Sequence, residues 1–367
     1  MKSIFISTLF FISQGFYSQN TISINLTAPE FEKDSLILGP PGSSGNIHNI
    51  YDFKFEDSKT IQFLKDYNFA LIKINSSNNF TGHILYPQPF SFSYYDPKIN
   101  GGYESKPFFL EKGNYHINVE GKNNLTLILD PQSPANTEYT NLKIRLKTYD
   151  EKLKPHQENN VNDIIEKHVF LKNYIKSNPD SYVAFWEIVN DFSKYGFNKI
   201  YLDHLKLFSK DLKKTFSFIE FNKILQIENS TTVGGNFPEV IFDDNSKITK
   251  SSFANYRLTL IDYWATSCKP CIEDLPKLVK LYEIYKDKGV NFISVADENQ
   301  EEKITLAKNI LEKHNVTWTN YFDLKKDFPK KLNAAGYPLQ ILVNSEGKII
   351  SRKYGELDKI DEEIKTC

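Results

Sequence analysis

The sequence predicts an α+β multidomain protein with an N-terminal antiparallel β domain, a helical connector and a C-terminal α/β domain. Three textures carry that prediction. Residues 20–150 alternate apolar and polar positions in short runs, the period of a half-buried strand. Residues 151–231 space their apolar positions by three and four, the period of a helix. From residue 232 onward, strand-like and helix-like segments take turns, as they do in α/β domains. A chain of 367 residues exceeds what one core fills, so division into domains is expected on size alone.

The chain begins MKSIFISTLFFISQGFYSQN, with a basic start at Lys2, an apolar run from Ile4 to Ile12 and a small polar exit. That order is the outline of a secretory signal peptide, and the run is too short for a permanent membrane span. Cleavage is expected after Gly15 or Ser18, which sets the leader at residues 1–18 and leaves a soluble, exported or periplasmic protein. No cysteine stands near the exit, which argues against lipid attachment.

In the front region the runs TISINLT, FALIKIN, FSFSYYD, YHINVEG and LTLILDP are separated by turn residues such as Pro40, Pro41, Gly101, Gly113 and Gly121. Its aromatics are read as sheet packing. His83 and His116 are read as ordinary strand residues, because no ligand cluster surrounds them in sequence. Next come IIEKHVFLKNYIK, SYVAFWEIVNDF, IYLDHLKLF and FSFIEFNKIL, broken at Asn178-Pro179 and Gly196, which read as three or four helices with solvated charged faces. After the polar stretch NSTTVGGN, strands are expected at 237–242, 258–264, 290–296, 339–344 and 348–354. Helices are expected at about 271–287, 301–314, 324–334 and 356–365, with a hairpin turn at SEGK.

Lys and Arg number 45 against 46 Asp and Glu, a net charge of -1 that supplies no electrostatic case for nucleic acid. No G-x-G-x-x-G opens a helix, so no NAD(P)H or flavin site is expected, and no cofactor at all. The chain holds 3 cysteines, too few for the disulfide framework of a small exported scaffold. Two of them, Cys268 and Cys271, stand where the strand LTLIDYW gives way to a helix. Unpaired N–H groups and the helix dipole favour a thiolate at Cys268, and Lys269 adds a positive charge beside it. A zinc site lacks its remaining ligands, c-type haem attachment lacks the His that Ile272 replaces, and a structural bridge over so short a loop restrains little chain entropy. Redox exchange is the chemistry the pair favours.

On these residues the stretch from about 232 to 367 resembles a thioredoxin-fold domain of the TlpA/ResA class, in the AhpC/TSA-like group of exported thiol-disulfide oxidoreductases. The likeness rests on Trp264-Ala265-Thr266-Ser267-Cys268-Lys269-Pro270-Cys271, on Pro276, and on Gly336-Tyr337-Pro338 ahead of LQILVN and SEGK. It implies a cis-proline at Pro338 and an acidic residue near the site at Asp297 or Glu298. The β-rich front, in particular PFFLEKGNYHINV, is similar to a domain of unassigned function found ahead of such domains. Ser267, Lys269 and Leu339 depart from the usual residues at the substrate-facing rim.

The resemblance implies a two-step exchange: Cys268 attacks a substrate disulfide and Cys271 then resolves the mixed disulfide. Asp262, six residues before Cys268, is expected to be buried, raised in pKa and able to act as general base towards Cys271. Trp264, Tyr337 and Pro338 are expected to meet the substrate, Tyr337 through its backbone. The expected partners are disulfide-containing proteins and a membrane thiol carrier as electron donor, with neither nucleic acid nor metal. Two other readings stay open: a thiol peroxidase, and a partner-binding protein with a regulatory redox domain. Cys367, the last residue, is expected to be dispensable.

Overall fold

The computed structural model describes residues 20–42, 45–75, 78–157 and 159–367. The expected leader at 1–18 lies outside the described residues. The chain divides into two compact units, Met1–Asn222 and Lys223–Cys367.

The first unit contains two sheets. In one, β1 (Thr21–Thr27) lies between β10 (Gly113–Glu120) and β6 (Asn78–Ile84), with β11 (Thr126–Asp130) and β3 (Phe53–Phe55) at the edges. The other runs in the order β4 (Ile61–Leu64), β5 (Phe69–Lys73), β2 (Ser35–Gly39), β7 (Gln88–Asp96) and β8 (Gly101–Glu104), and β9 (Phe108–Leu110) also pairs with β7. The pairing is antiparallel as expected, except that β1 and β10 run parallel. Alternation buries Ile22, Ile24 and Leu26 from β1 and Tyr115, Ile117 and Val119 from β10. Phenylalanines tie the sheets together: Phe53 meets Phe90 with ring centroids 4.6 Å apart and Phe63 at 5.9 Å, and Phe55 meets Phe90 at 6.0 Å.

Helices follow as α1 (Pro134–Asp150), α2 (Val161–Ser177), α3 (Tyr182–Tyr195), α4 (Ile200–Leu205) and α5 (Phe216–Thr231), and the boundary between the two units falls inside α5. α1 corrects the sequence reading, which assigned residues up to 150 to the β region. Its start is fixed by Ser133, whose hydroxyl accepts the Asn136 N–H at 3.1 Å, and by Pro134 in the first turn. The segment Leu142-Lys143-Ile144-Arg145-Leu146 alternates like a strand, yet Leu142 and Leu146 are the buried pair one turn apart and Ile144 is 69% exposed. The helical charges are not all solvated either. Lys167 is fully buried, with its Nζ 2.7 Å from Asp150, 2.8 Å from Glu187 and 2.6 Å from Asp191. A buried ammonium is tolerable only with such partners.

The second unit is a five-stranded sheet in the order β16 (Thr319–Asp323), β15 (Val290–Asp297), β14 (Leu258–Trp264), β17 (Leu339–Asn344) and β18 (Ile349–Tyr354). β14 pairs parallel with β15 and antiparallel with β17, and β17–β18 is the antiparallel hairpin that SEGK announces. A small hairpin of β12 (Val240–Ile241) and β13 (Lys247–Ile248) precedes the sheet. The helices are α6 (Lys269–Tyr285), α7 (Glu301–Lys313), α8 (Asp327–Leu332) and α9 (Leu357–Thr366). Every residue of β14 is buried, because the sheet has a core on each face. Leu258, Leu260 and Trp264 pack with Leu275 and Leu278 of α6 and Ile360 of α9, while Ile261 and Tyr263 pack with Phe328 and Leu332 of α8. Among the described residues no helix is long and apolar enough to cross a membrane.

Candidate active site

Strand β14 ends at Trp264, and the chain turns through Ala265, Thr266 and Ser267 to deliver Cys268 as the N-cap of α6. Cys268 and Cys271 form a disulfide with their Cα atoms 5.3 Å apart. The Cys268 Sγ accepts the backbone N–H of Cys271 at 3.2 Å. A sulfur in that place receives one of the orphan donors of the helix start, and the same contact stabilises a thiolate there once the disulfide is reduced. Cys268 is 9% exposed and Cys271 is 3% exposed, so the first is the more accessible residue. Lys269 is open to solvent and lies 3.7 Å from Glu273, so its charge is shared with a neighbour one turn on.

Asp262 lies on the face of β14 that carries Trp264 and faces α6, and it is 4% exposed. Its register partner on β17 is Gln340, whose Nε2 donates to Asp262 Oδ1 at 2.9 Å. Burial pushes the carboxyl up from its ordinary 3.8 to about 7, Gln340 opposes that rise, and the negative charge of Asp274 adds to it. Gln340 and Asp274 escaped the sequence reading. Strand register and position on α6 bring them to Asp262, and no motif marks either.

The opposite wall is the Tyr337-Pro338 peptide, which is cis. Leu339 pairs with Tyr263, so Pro338 stands one residue further along, beside Trp264 and the turn that leads to Cys268. Pro338 is buried and Tyr337 is 39% exposed. Trp264 is fully buried in the core cluster beneath the disulfide, so the substrate contact expected of it does not stand. Its indole sits on the inward face of a strand covered on both sides, and it packs the site from below.

Both acids considered for the loop after β15 are near the site. Asp297 accepts from the Tyr263 hydroxyl, from the Tyr337 hydroxyl at 2.9 Å, and from Lys326. Glu298 accepts the backbone N–H of Thr266 at 2.7 Å. Among the described residues no group of three or more His, Cys, Asp or Glu is arranged to hold a metal ion. Cys367 is free and exposed at the end of the chain.

A disulfide at a helix N-terminus, at the end of a central strand and beside a cis-proline, defines a thioredoxin-like thiol-disulfide oxidoreductase. Residues 232–366 match the redoxin family. The matched region is 26% identical to thiol-disulfide oxidoreductase ResA of Bacillus thuringiensis subsp. konkukian over 134 residues, which is 36% of this chain and 75% of that one. It is 23% identical to ResA of Bacillus subtilis over 131 residues, 35% of this chain and 72% of that one. The thioredoxin domain of a thiol-disulfide oxidoreductase from Bacteroides vulgatus is 26% identical, with 37% of this chain and 96% of that one covered and a TM-score of 0.32. The second unit is thus similar to TlpA/ResA-like proteins of the thioredoxin family, and β sheets and helices precede it in the chain.

Proposed function

We propose that the protein is an exported enzyme that reduces disulfides in protein substrates through the Cys268–Cys271 pair. The observation that supports this most is the placement of that pair: a disulfide at the first turn of α6, with the Cys271 N–H directed at the Cys268 sulfur. In the reduced enzyme the Cys268 thiolate attacks one sulfur of the substrate disulfide, and the other sulfur leaves as a thiolate that takes a proton from water. Cys271 gives its proton to the Asp262 carboxylate and attacks Cys268, which releases the second substrate sulfur as a thiolate, protonated in turn by water, and leaves the enzyme as the disulfide. A carboxyl near pH 7 suits that exchange, since it accepts a proton at neutral pH and returns it readily. Tyr337 and Pro338 form the wall along which the extended substrate segment lies, with Tyr337 offering backbone hydrogen bonds. Each turnover consumes two electrons, so a donor must restore the dithiol, and a membrane thiol carrier is the partner that fits an exported enzyme.

The test is reduction of insulin disulfides, with hydrogen peroxide as the competing substrate. Cys268→Ser abolishes insulin reduction, Cys271→Ser accumulates a covalent complex that reductant dissolves, and Asp262→Asn slows release from that complex. Peroxide consumption faster than disulfide reduction would sink the proposal in favour of a peroxidase, and equal trapping by both cysteine variants would remove the assigned order.

A further inference from the structure

Strand β15 ends at Asp297 and Glu298 follows it directly, two adjacent acids that are both buried, at 7% and 5% exposure. Buried carboxylates are costly unless each is given partners. Here the partners belong to opposite sides of the site. Glu298 holds the Thr266 N–H at 2.7 Å, two residues before Cys268. Asp297 holds the Tyr337 hydroxyl at 2.9 Å, one residue before the cis-proline, and is itself fixed by Tyr263 and Lys326. Tyr263 is fully buried and stacks on Phe328 with ring centroids 4.5 Å apart, so the inner anchor of Asp297 is rigid. The Tyr337 ring lies 5.2 Å from that of Tyr263. On its far side the same loop is tied down by the Tyr354 hydroxyl, which accepts the Ala335 N–H at 3.1 Å, and by Arg352, which donates to the Leu332 carbonyl at 2.6 Å.

We propose that Asp297 and Glu298 are positioning residues that hold the two walls of the substrate groove, Glu298 the turn leading to Cys268 and Asp297 the Tyr337-Pro338 wall. The inference rests on the oxidoreductase reading and adds to it what the groove offers a substrate. The Tyr337 hydroxyl is turned inward and committed to Asp297, so the exposed part of the side chain is its ring. A peptide laid along Pro338 therefore meets an aromatic face, which suits an apolar or cationic side chain next to the substrate cysteine. A small symmetrical disulfide has no such neighbour and gains nothing from the wall.

The experiment uses the full chain labelled with 3-fluorotyrosine, the Tyr337 resonance being assigned by its loss in Tyr337→Phe. Asp297→Ala is expected to displace or broaden that resonance and to raise KM for insulin by about fivefold or more, relative to its effect on KM for the small aliphatic disulfide bis(2-hydroxyethyl) disulfide. Asp297→Asn still offers an acceptor oxygen and should restore part of both. Lys326→Met removes the solvent-side partner and should displace the resonance less, in the same direction, which keeps the test decisive if the alanine variant folds poorly. A Tyr337 resonance that stays in place in all three variants, or KM values for insulin and the aliphatic disulfide that rise together, would overturn the clamp. Failure of the parent protein to reduce either disulfide counts against the oxidoreductase reading, while the resonance still decides the clamp.

Discussion

Replacing Asp262 by Asn should change how stability depends on pH, by an amount that the burial of the site sets. In the unfolded chain the carboxyl titrates at its ordinary 3.8, and in the native protein at about 7. Between those values the native state binds the proton more tightly than the unfolded state does. Stability therefore falls as pH rises through this window. A tenfold difference in proton affinity corresponds to about 1.4 kcal/mol, so a carboxyl held at about 7 rather than 3.8 costs about 4 kcal/mol by pH 8, recovered by pH 4. The introduced amide cannot ionise, and it keeps a polar group opposite Gln340. The variant should match the parent to within a constant offset near pH 4 and gain on it by up to about 4 kcal/mol near pH 8. Urea unfolding of the full chain in a Trp186→Phe background reports the second unit through Trp264 and Trp318, the remaining tryptophans. A variant-minus-parent difference that stays level from pH 4 to pH 8 would refute the buried, proton-retaining aspartate, and with it the proton acceptor assigned to Cys271.

The partners of Asp262 can be separated by carbon-13 titration of its carboxyl. Gln340→Leu removes the donor that favours the ionised form and should raise the pKa above about 7, whereas Asp274→Asn removes a repelling charge and should lower it; a change of reversed sign in either variant refutes that assignment. Cys367→Ser should leave insulin reduction and thermal stability unchanged, since the residue is exposed and terminal, and a loss of turnover with normal folding would show otherwise. The fragment Lys223–Cys367 should melt cooperatively and reduce insulin by itself, because its sheet and both cores lie within it. A fragment lacking a melting transition would mean that the first unit completes its core.

The legible parts of the fold were those where burial is two-sided or periodicity is long. LTLIDYW and LQILVN were read with the boundaries the structure gives, since runs of buried apolar residues between turn signals leave little choice. β16 was missed because TNYFD is a half-exposed edge strand with no alternation to detect. α1 falls inside the region assigned to sheet although no strand run lies in it, and its outward-facing Ile144 between the buried Leu142 and Leu146 blurs the helical period. At the site, Cys268, Cys271, Pro338 and Asp262 were visible from spacing and resemblance, and Trp264 was visible but misread, since a sequence does not say which side of a motif faces inward. Gln340, Asp274, Tyr263 and Lys326 were invisible. They reach the site across strand register, along a helix or by a loop, and each belongs to a residue type that is ordinary where it stands.

The place of β1 sets an order of assembly for the first unit. It is the first strand of the described chain, yet it lies inside its sheet, with a parallel neighbour from residues 113–120 on one side and an antiparallel neighbour from residues 78–84 on the other. During synthesis it emerges early and has nothing to pair with until both later segments exist. The sheet therefore closes late, through contacts distant in sequence, and such topologies fold slowly. On the proposed export route, where a chain crosses a membrane unfolded, that delay keeps the front region threadable while it is still being made. Removal of Thr21–Thr27 would accordingly do more than shorten an edge: it would part β10 and β11 from β6 and β3 and leave two hairpin-sized remnants, each below the size at which a sheet holds together.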